Sequence, residues 1–320
     1  MEQTAANKRR RAEAQAHGYR YGRIRQMLKD RWLYAMIAPG LLYFLIFKYA
    51  PMWGLLIAFQ NYQPVRGFLQ SDWVGLAHFA AFFSDEYFWL LFRNTFVLAL
   101  YNLLFFFPLP ILLAILLNEV RSEVYKRFIQ TLVYIPHFVS WVVIVGIFYI
   151  FFTTEGGLVN EIIVRLGFEK VNFLLSSDWF RTMVTSQVIW KQAGWGTIIF
   201  LAALSGVDPQ LYEASRIDGA NRLRQIWHIT LPAIRSTIVI LLILKLGDFL
   251  DTGFEQIFLM LNAMNREVGE VFDTYVYTIG LTQGQFSFST AVGLFKSLVG
   301  LVLVVSANYL AKRFGEEGVY

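Results

Sequence analysis

Apolar residues run almost unbroken through six stretches of the chain, near residues 33–59, 92–117, 128–152, 184–206, 233–251 and 289–311. Each is close to the ~20 residues that carry an α-helix across a ~30 Å hydrocarbon core. Apolarity sustained over such lengths predicts transmembrane helices, because a soluble helix shows a polar face and a strand alternates. The first run contains Lys48 and Pro51, and reads either as a kinked helix or as a span ending near Phe47, followed by an interfacial piece with Trp53 and Phe59. The segments 60–91, 153–183 and 252–288 mix aromatics with Gly, Asn, Asp and Ser, which predicts short interfacial helices without a separate domain. No internal repeat and no low-complexity linker interrupts this order.

Composition agrees with the pattern: of 320 residues, 56% are apolar and 16% charged, which describes an all-α polytopic membrane protein. Residues 1–32 are polar and basic, unlike a secretory leader, so the first apolar run is expected to stay as an anchor. The absence of cysteine excludes disulfides, thiolate metal sites and cysteine nucleophiles, and His17, His78, His137 and His228 show no metal-ligand spacing. The net charge of +5 matters less than where it lies. Lys8, Arg9, Arg10, Arg11, Arg20, Arg23, Arg25, Lys29 and Arg31 precede the first span, and Arg121, Lys126, Arg127, Arg216, Arg222, Arg224, Lys312 and Arg313 follow on the same side if six spans alternate. The opposite segments carry Asp72, Asp85, Glu86, Glu155, Glu161, Glu169, Asp178, Asp251, Glu255, Glu267, Glu270 and Asp273. This asymmetry predicts both termini in the cytoplasm, with the basic tail a topology signal with affinity for anionic lipid, not a nucleic-acid arm. The organisation is then a cytoplasmic tail (1–32), a transmembrane domain (33–311) and a short cytoplasmic C-terminal tail (312–320).

One polar interruption stands out. Between the fourth and fifth runs, "EASRIDGANRLRQIWHITLP" (213–232) carries Glu213, Arg216, Asp218, Arg222 and Arg224. Five charges at the bilayer centre would cost roughly 12 to 17 kcal/mol, so the segment belongs on the cytoplasmic side. Asp208 is a good N-cap with Pro209 at the first helical position, and Leu211, Ala214 and Ile217 recur at helical spacing up to Gly219, a left-handed stop. Asn221 caps a second helix through Leu223, Ile226 and Trp227, and Pro232 marks entry to the fifth span. A helix, a turn and a helix over 208–232 could read DNA, connect passively or dock a partner. Tethering between spans argues against DNA, and a passive connector needs only about 4 to 6 residues, so docking is the better reading.

Glu213, Ala214, Asp218, Gly219 and Ala220, followed after a fixed gap by Ile229, Leu231 and Pro232, resemble the EAA motif of permease subunits in binding-protein-dependent ABC importers. The stretches "GVDPQLYEAS", "IWKQAGWGTIIFLAAL", "TAVGLFKSLVGLVL" and "YIPHFVSWVV" resemble the branch that imports oligosaccharides and polysaccharide fragments. Ser215, where a second alanine is usual, and Arg235, where a further proline is common, depart from the pattern. The resemblance implies a type I importer permease fold in the bacterial inner membrane. It also implies a coupling helix Tyr212–Gly219 seated in an ATPase subunit, with Tyr212, Glu213, Ala214, Ser215, Arg216, Asp218, Gly219, Ala220, Leu231 and Pro232 forming the coupling segment. No lysine follows a glycine anywhere, so the chain has no P-loop. ATP and magnesium are then used by a partner. The implied complex holds a second, related but different permease chain, two ATPases and an extracytoplasmic solute-binding protein.

Within the spans, Ile238, Leu241, Lys245, Asp248 and Thr252 are expected along one face of the fifth helix, Gln187, Lys191 and Gly194 along one face of the fourth, and Gly293, Lys296 and Gly300 along one face of the sixth. Intramembrane charge marks candidate pathway residues, against the plainer reading of a Lys245–Asp248 pair or of lysines snorkelling to an interface. Trp190, Trp195, Tyr275 and Tyr277 are candidates to stack on sugar rings, against packing or interfacial roles, and Gly194, Gly196, Gly293 and Gly300 are expected to permit close helix contact. Three lysines against Asp248 would make an acidic, uronate-type oligosaccharide the expected cargo. A secondary sugar transporter or channel would show repeat halves and a buried ion site, and a membrane-embedded glycosyltransferase would show converging carboxylates or a metal constellation. Neither is evident.

Overall fold

The computed structural model describes residues 29–316, 318 and 319; the basic tail predicted for 1–32 lies almost wholly outside them. The chain divides into two units, Met1–Leu56 and Ile57–Tyr320. In the first, α1 (Arg31–Phe44) passes into a π-helical turn, Leu45–Tyr49, and then into tighter helical turns, so the helical run extends over Arg31–Phe59. Pro51 has no N–H to return to the carbonyl of Phe47, which accounts for the change of pitch and decides between the two sequence readings in favour of a distorted continuous helix.

In the second unit, a two-stranded antiparallel hairpin, β1 (Gln60–Asn61) with β2 (Asp72–Trp73), leads into α2 (Ala77–Ser84). The second span is α3 (Glu86–Tyr101), a π turn and α4 (Pro108–Glu119), together Glu86–Glu119. The third run is not one helix: α5 (Glu123–Phe138) and α6 (Trp141–Phe152) are bent by 104°. Pro136 weakens the last turn of α5, Val139 is extended, and Ser140 starts α6 as an N-cap accepting from Val143 N. After α7 (Leu158–Arg165) comes α8 (Ser177–Ser205), the fourth span. The fifth is also broken, as α9 (Pro209–Ile217) leads to α10 (Arg222–Ala233) and then to α11 (Arg235–Gly247), bent from α10 by 60° at Ile234. α12 (Phe254–Met260) and α13 (Phe272–Tyr277) precede the sixth span, α14 (Phe286–Arg313).

In lipid, apolar burial expels no water, so close contact and polar links carry the packing. A Cβ on Gly194 of α8 would overlap the carbonyl of Val133 in α5, one on Gly300 of α14 would overlap that of Gly247 in α11, and one on Gly196 would sit 2.9 Å from the Pro110 ring. Gly194 and Gly300 thus permit backbone approach and Gly196 admits the Pro110 ring; Gly293 meets nothing within 4 Å in this chain. Phe82 is the centre of an aromatic cluster with Phe88, Phe272, Phe288 and Phe295. Polar links gather the segments at two ends: Glu119 to Arg222 at 3.4 Å and Arg235 to Glu316 at 2.6 Å at one, Tyr62 N to Ser287 and Ser177 to Met264 O at the other.

Candidate functional site

The polar segment folds as its caps dictate. Asp208 Oδ1 accepts from Gln210 N at 2.9 Å, Pro209 opens α9, and Gly219 at φ +77° closes it. Ala220 N donates to Ser215 O and Gly219 N to Arg216 O, the paired bonds of a Schellman stop. Asn221 Oδ1 then caps α10 by accepting from Arg224 N at 2.9 Å. The helix, turn and helix are held together from within: Tyr212 Oη meets Thr230 Oγ1 at 3.0 Å, and the buried Gln225 donates to Ser215 Oγ at 2.9 Å and to Tyr212 O at 3.3 Å. Ser215, a departure from the usual motif, therefore supplies the acceptor that fastens α10 to α9.

This inner seam leaves the other face free. Glu213, Ala214, Arg216 and Asp218 are exposed, and Ile217, Leu223 and Trp227 are respectively 88%, 76% and 69% exposed. Beside them, a 590 Å³ cavity lies between α9 and the loop after α4, lined by Glu119, Arg121, Tyr212, Glu213, Arg216 and Arg222 among others. Exposed apolar side chains ringed by charge are the kind of surface that protein–protein interfaces use. Leu231 and Pro232 complete α10 just before its bend into α11.

The candidate pathway residues do not share one lining. Lys191 is 7% exposed and donates to the carbonyls of His137, at 2.9 Å, and Val139, capping the break between α5 and α6, with its ammonium 5.3 Å from the Trp141 ring. His137 in turn stacks on Trp195 at 4.3 Å. Gln187 is fully buried, accepts from Gln256 Nε2 at 2.8 Å and donates to Met260 Sδ, which joins α8 to α12. Gln256 was not legible in the sequence as its partner, since it lies in a segment expected only to be interfacial. Trp190 is exposed beside Phe148.

Two expectations need correction. The fifth helix ends at Gly247, so Asp248 and Thr252 leave the face that holds Ile238, Leu241 and Lys245; Asp248 enters a turn closed by Asp251 N bonding Asp248 O, and Thr252 is buried. Lys245 makes no ion pair with Asp248 and lies 6.0 Å from the Phe106 ring. Lys296 is not a free cation either, because it pairs with Asp273, an acid assigned from sequence to an outer segment. That pair, Asp248 and Asp251 line a 190 Å³ cavity. A larger crevice of 730 Å³ is lined by Tyr275, which donates to Asp85 Oδ2 at 3.2 Å and stacks on Tyr87; burial and the neighbouring Asp85 carboxylate push the phenol up to about 12. Tyr277 packs against Phe254 and Phe258.

Comparison with known proteins places this geometry. Residues 106–316 match the model of the family described as binding-protein-dependent transport system inner membrane component. The polygalacturonan/rhamnogalacturonan transport system permease protein YteP of Bacillus subtilis (strain 168) is 62% identical, with 92% of each chain covered. Protein LplB of the same organism is 58% identical over 91% of this chain and 92% of its own. A chain of the crystal structure of a bacterial alginate ABC transporter, in complex with its alginate pentasaccharide-bound periplasmic protein, superposes with a TM-score of 0.85 at 40% identity, over 92% of this chain and 99% of that one. The fold is that of a type I ABC importer permease, a transport subunit and not an enzyme, and the chain belongs to the binding-protein-dependent transport system inner membrane components.

Proposed function

We propose that this chain is the permease subunit of an ATP-driven inner-membrane importer whose cargo is an oligosaccharide of the uronate-containing class. The observation that carries the coupling role is α9, a doubly capped helix locked on one face and bare on the other, between two spans. Its exposed Glu213, Ala214, Arg216 and Ile217 meet a groove of an ATPase subunit, and nucleotide-driven closure of the ATPase pair moves α8 and α10 through this lever. ATP and magnesium are consumed by those partners. The complex comprises a second, related permease, two ATPases and an extracytoplasmic solute-binding protein, and both termini of this chain face the cytoplasm, on the side of Arg121, Arg222 and Arg313.

For the cargo, support comes from the relatives: two of the proteins named above handle polygalacturonan or alginate, both polymers of uronic acids. The lysines add no support, since Lys191 is occupied by backbone carbonyls and Lys296 by Asp273. The test is reconstitution of the complete complex in liposomes, measuring ATP-dependent uptake of uronate and neutral oligosaccharides of equal length. Absence of uronate uptake, or uptake without ATP, overturns this reading.

A further inference from the structure

Two guanidinium groups near the starts of two spans have no carboxylate partner among the described residues. Arg93 is the eighth residue of α3 and Arg181 the fifth of α8, about 10 Å and 6 Å along their helices at 1.5 Å per residue. They are tied to one anchor. Asn94, fully buried, donates through Nδ2 to the carbonyls of Glu267, at 2.9 Å, and Glu270, at 3.1 Å, which turns its Oδ1 toward Arg181 Nη2 at 3.1 Å. Arg93 Nη2 donates to the same Glu267 carbonyl at 3.3 Å.

Every acceptor in this network is neutral. Among the described residues, none of the ion pairs includes Arg93 or Arg181, and Arg181 Nε is buried without a partner. The nearby carboxylate of Glu270 faces Arg266 at 3.6 Å instead. A partly buried guanidinium such as Arg181 is costly to leave without an anion, and the exposed Arg93 tied to the same carbonyl network adds repulsion, so a bound anion would relieve both. Each fork has five N–H donors and matches a carboxylate with two parallel bonds. The signal in the sequence was an arginine at the edge of each of two predicted spans.

We propose that Arg93 and Arg181 form a carboxylate-binding subsite for the uronate chain, at the end of the pathway where cargo enters. This rests on the uronate-importer reading above. A lipid phosphate offers the same chemistry of paired anionic oxygens, and the experiment separates the two.

The complete complex is reconstituted with wild-type chain, Arg93→Gln, Arg181→Gln and Arg181→Lys. Binding of a tetragalacturonate to the complex without the solute-binding protein is measured beside binding of its methyl ester, whose carboxyl charge is removed. The expected result is a tenfold or greater weakening for the tetragalacturonate in both glutamine variants, partial recovery in Arg181→Lys, suppression of the wild-type advantage by salt, and a change of less than threefold for the ester. Equal weakening for both ligands shows a packing role and overturns the proposal. So does a loss that depends on phosphatidylglycerol in the vesicles and vanishes in phosphatidylcholine, which assigns the pair to lipid. A wild-type complex that imports no uronate overturns the proposed function itself, whereas normal uronate import and binding by the glutamine variants overturns this subsite alone.

Discussion

Lys191 and His137 are joined by a 2.9 Å hydrogen bond in which the ammonium of one span caps a backbone carbonyl freed at the break in another. Val139 O is the second acceptor, so the lysine serves two carbonyls that the bend between α5 and α6 removes from any helix ladder. Inside a membrane such groups have no water to turn to. Replacing Lys191 by methionine is expected to cost on the order of 1 to 3 kcal/mol for each carbonyl left bare, seen as a lower thermal midpoint of the complex. Uptake should fall alike for acidic and neutral saccharides, with recovery in Lys191→Arg. A loss confined to acidic cargo would show that the ammonium meets substrate instead.

The turn at Gly219 gives a sharper discrimination. At Gly219 the backbone sits at φ +77°, and a Cβ there would meet nothing within 4 Å, so the constraint is conformational and not steric. Gly219→Asn, which tolerates the left-handed region, is expected to retain most transport, while Gly219→Val loses it at a strain of about 1 kcal/mol or more with insertion intact. Glu213→Lys, exposed on α9, should leave stability within about 0.5 kcal/mol and weaken copurification of the ATPase. Normal transport by Gly219→Val would place the functional turn elsewhere.

Much of this was legible because it is local. Capping chemistry at Asp208, Gly219 and Asn221 is written in single residues, and all three behave as the sequence predicts. The apolar runs were equally legible as spans, but their breaks were not: Pro136 and Ser140 are a helix stop and start that hydropathy averages away. The partners of the pathway candidates were not legible for a different reason. Whether Lys296 is free depends on Asp273, which is 23 residues away in sequence and arrives by a fold of the intervening chain. Likewise Gln187 was identified by helical face, while its partner Gln256 is 69 residues distant.

The Lys296–Asp273 pair is largely buried, its side chains 14% and 20% exposed, and Asp273 Oδ2 has no partner. Removing one member should cost more than removing both. Lys296→Met is expected to destabilise by about 3 kcal/mol, because a carboxylate is left uncompensated, whereas Lys296→Met with Asp273→Leu should recover most of it. Thermal midpoints of the two single variants and the double variant close the cycle. If the double variant merely adds the two losses, the pair is not coupled and Lys296 is again open to a role with cargo.

Glu270 links stability to pH. It is 3% exposed, and burial pushes its carboxyl up from the ordinary 4.5, opposed in part by Arg266 at 3.6 Å. With the folded value raised, the native state holds the proton in a window where the unfolded chain has already released it. Stability conferred by this group is therefore fully present below the unfolded value and is lost as pH rises through the folded one. Glu270→Gln should flatten the fall in thermal midpoint on going from about pH 4 toward neutrality and leave the variant at least as stable as the parent at pH 7. The network at Asn94 survives the change, because Asn94 binds the backbone carbonyl of residue 270 and not its carboxylate. Marked destabilisation of Glu270→Gln at neutral pH would mean that the ion pair with Arg266 outweighs the burial of the charge.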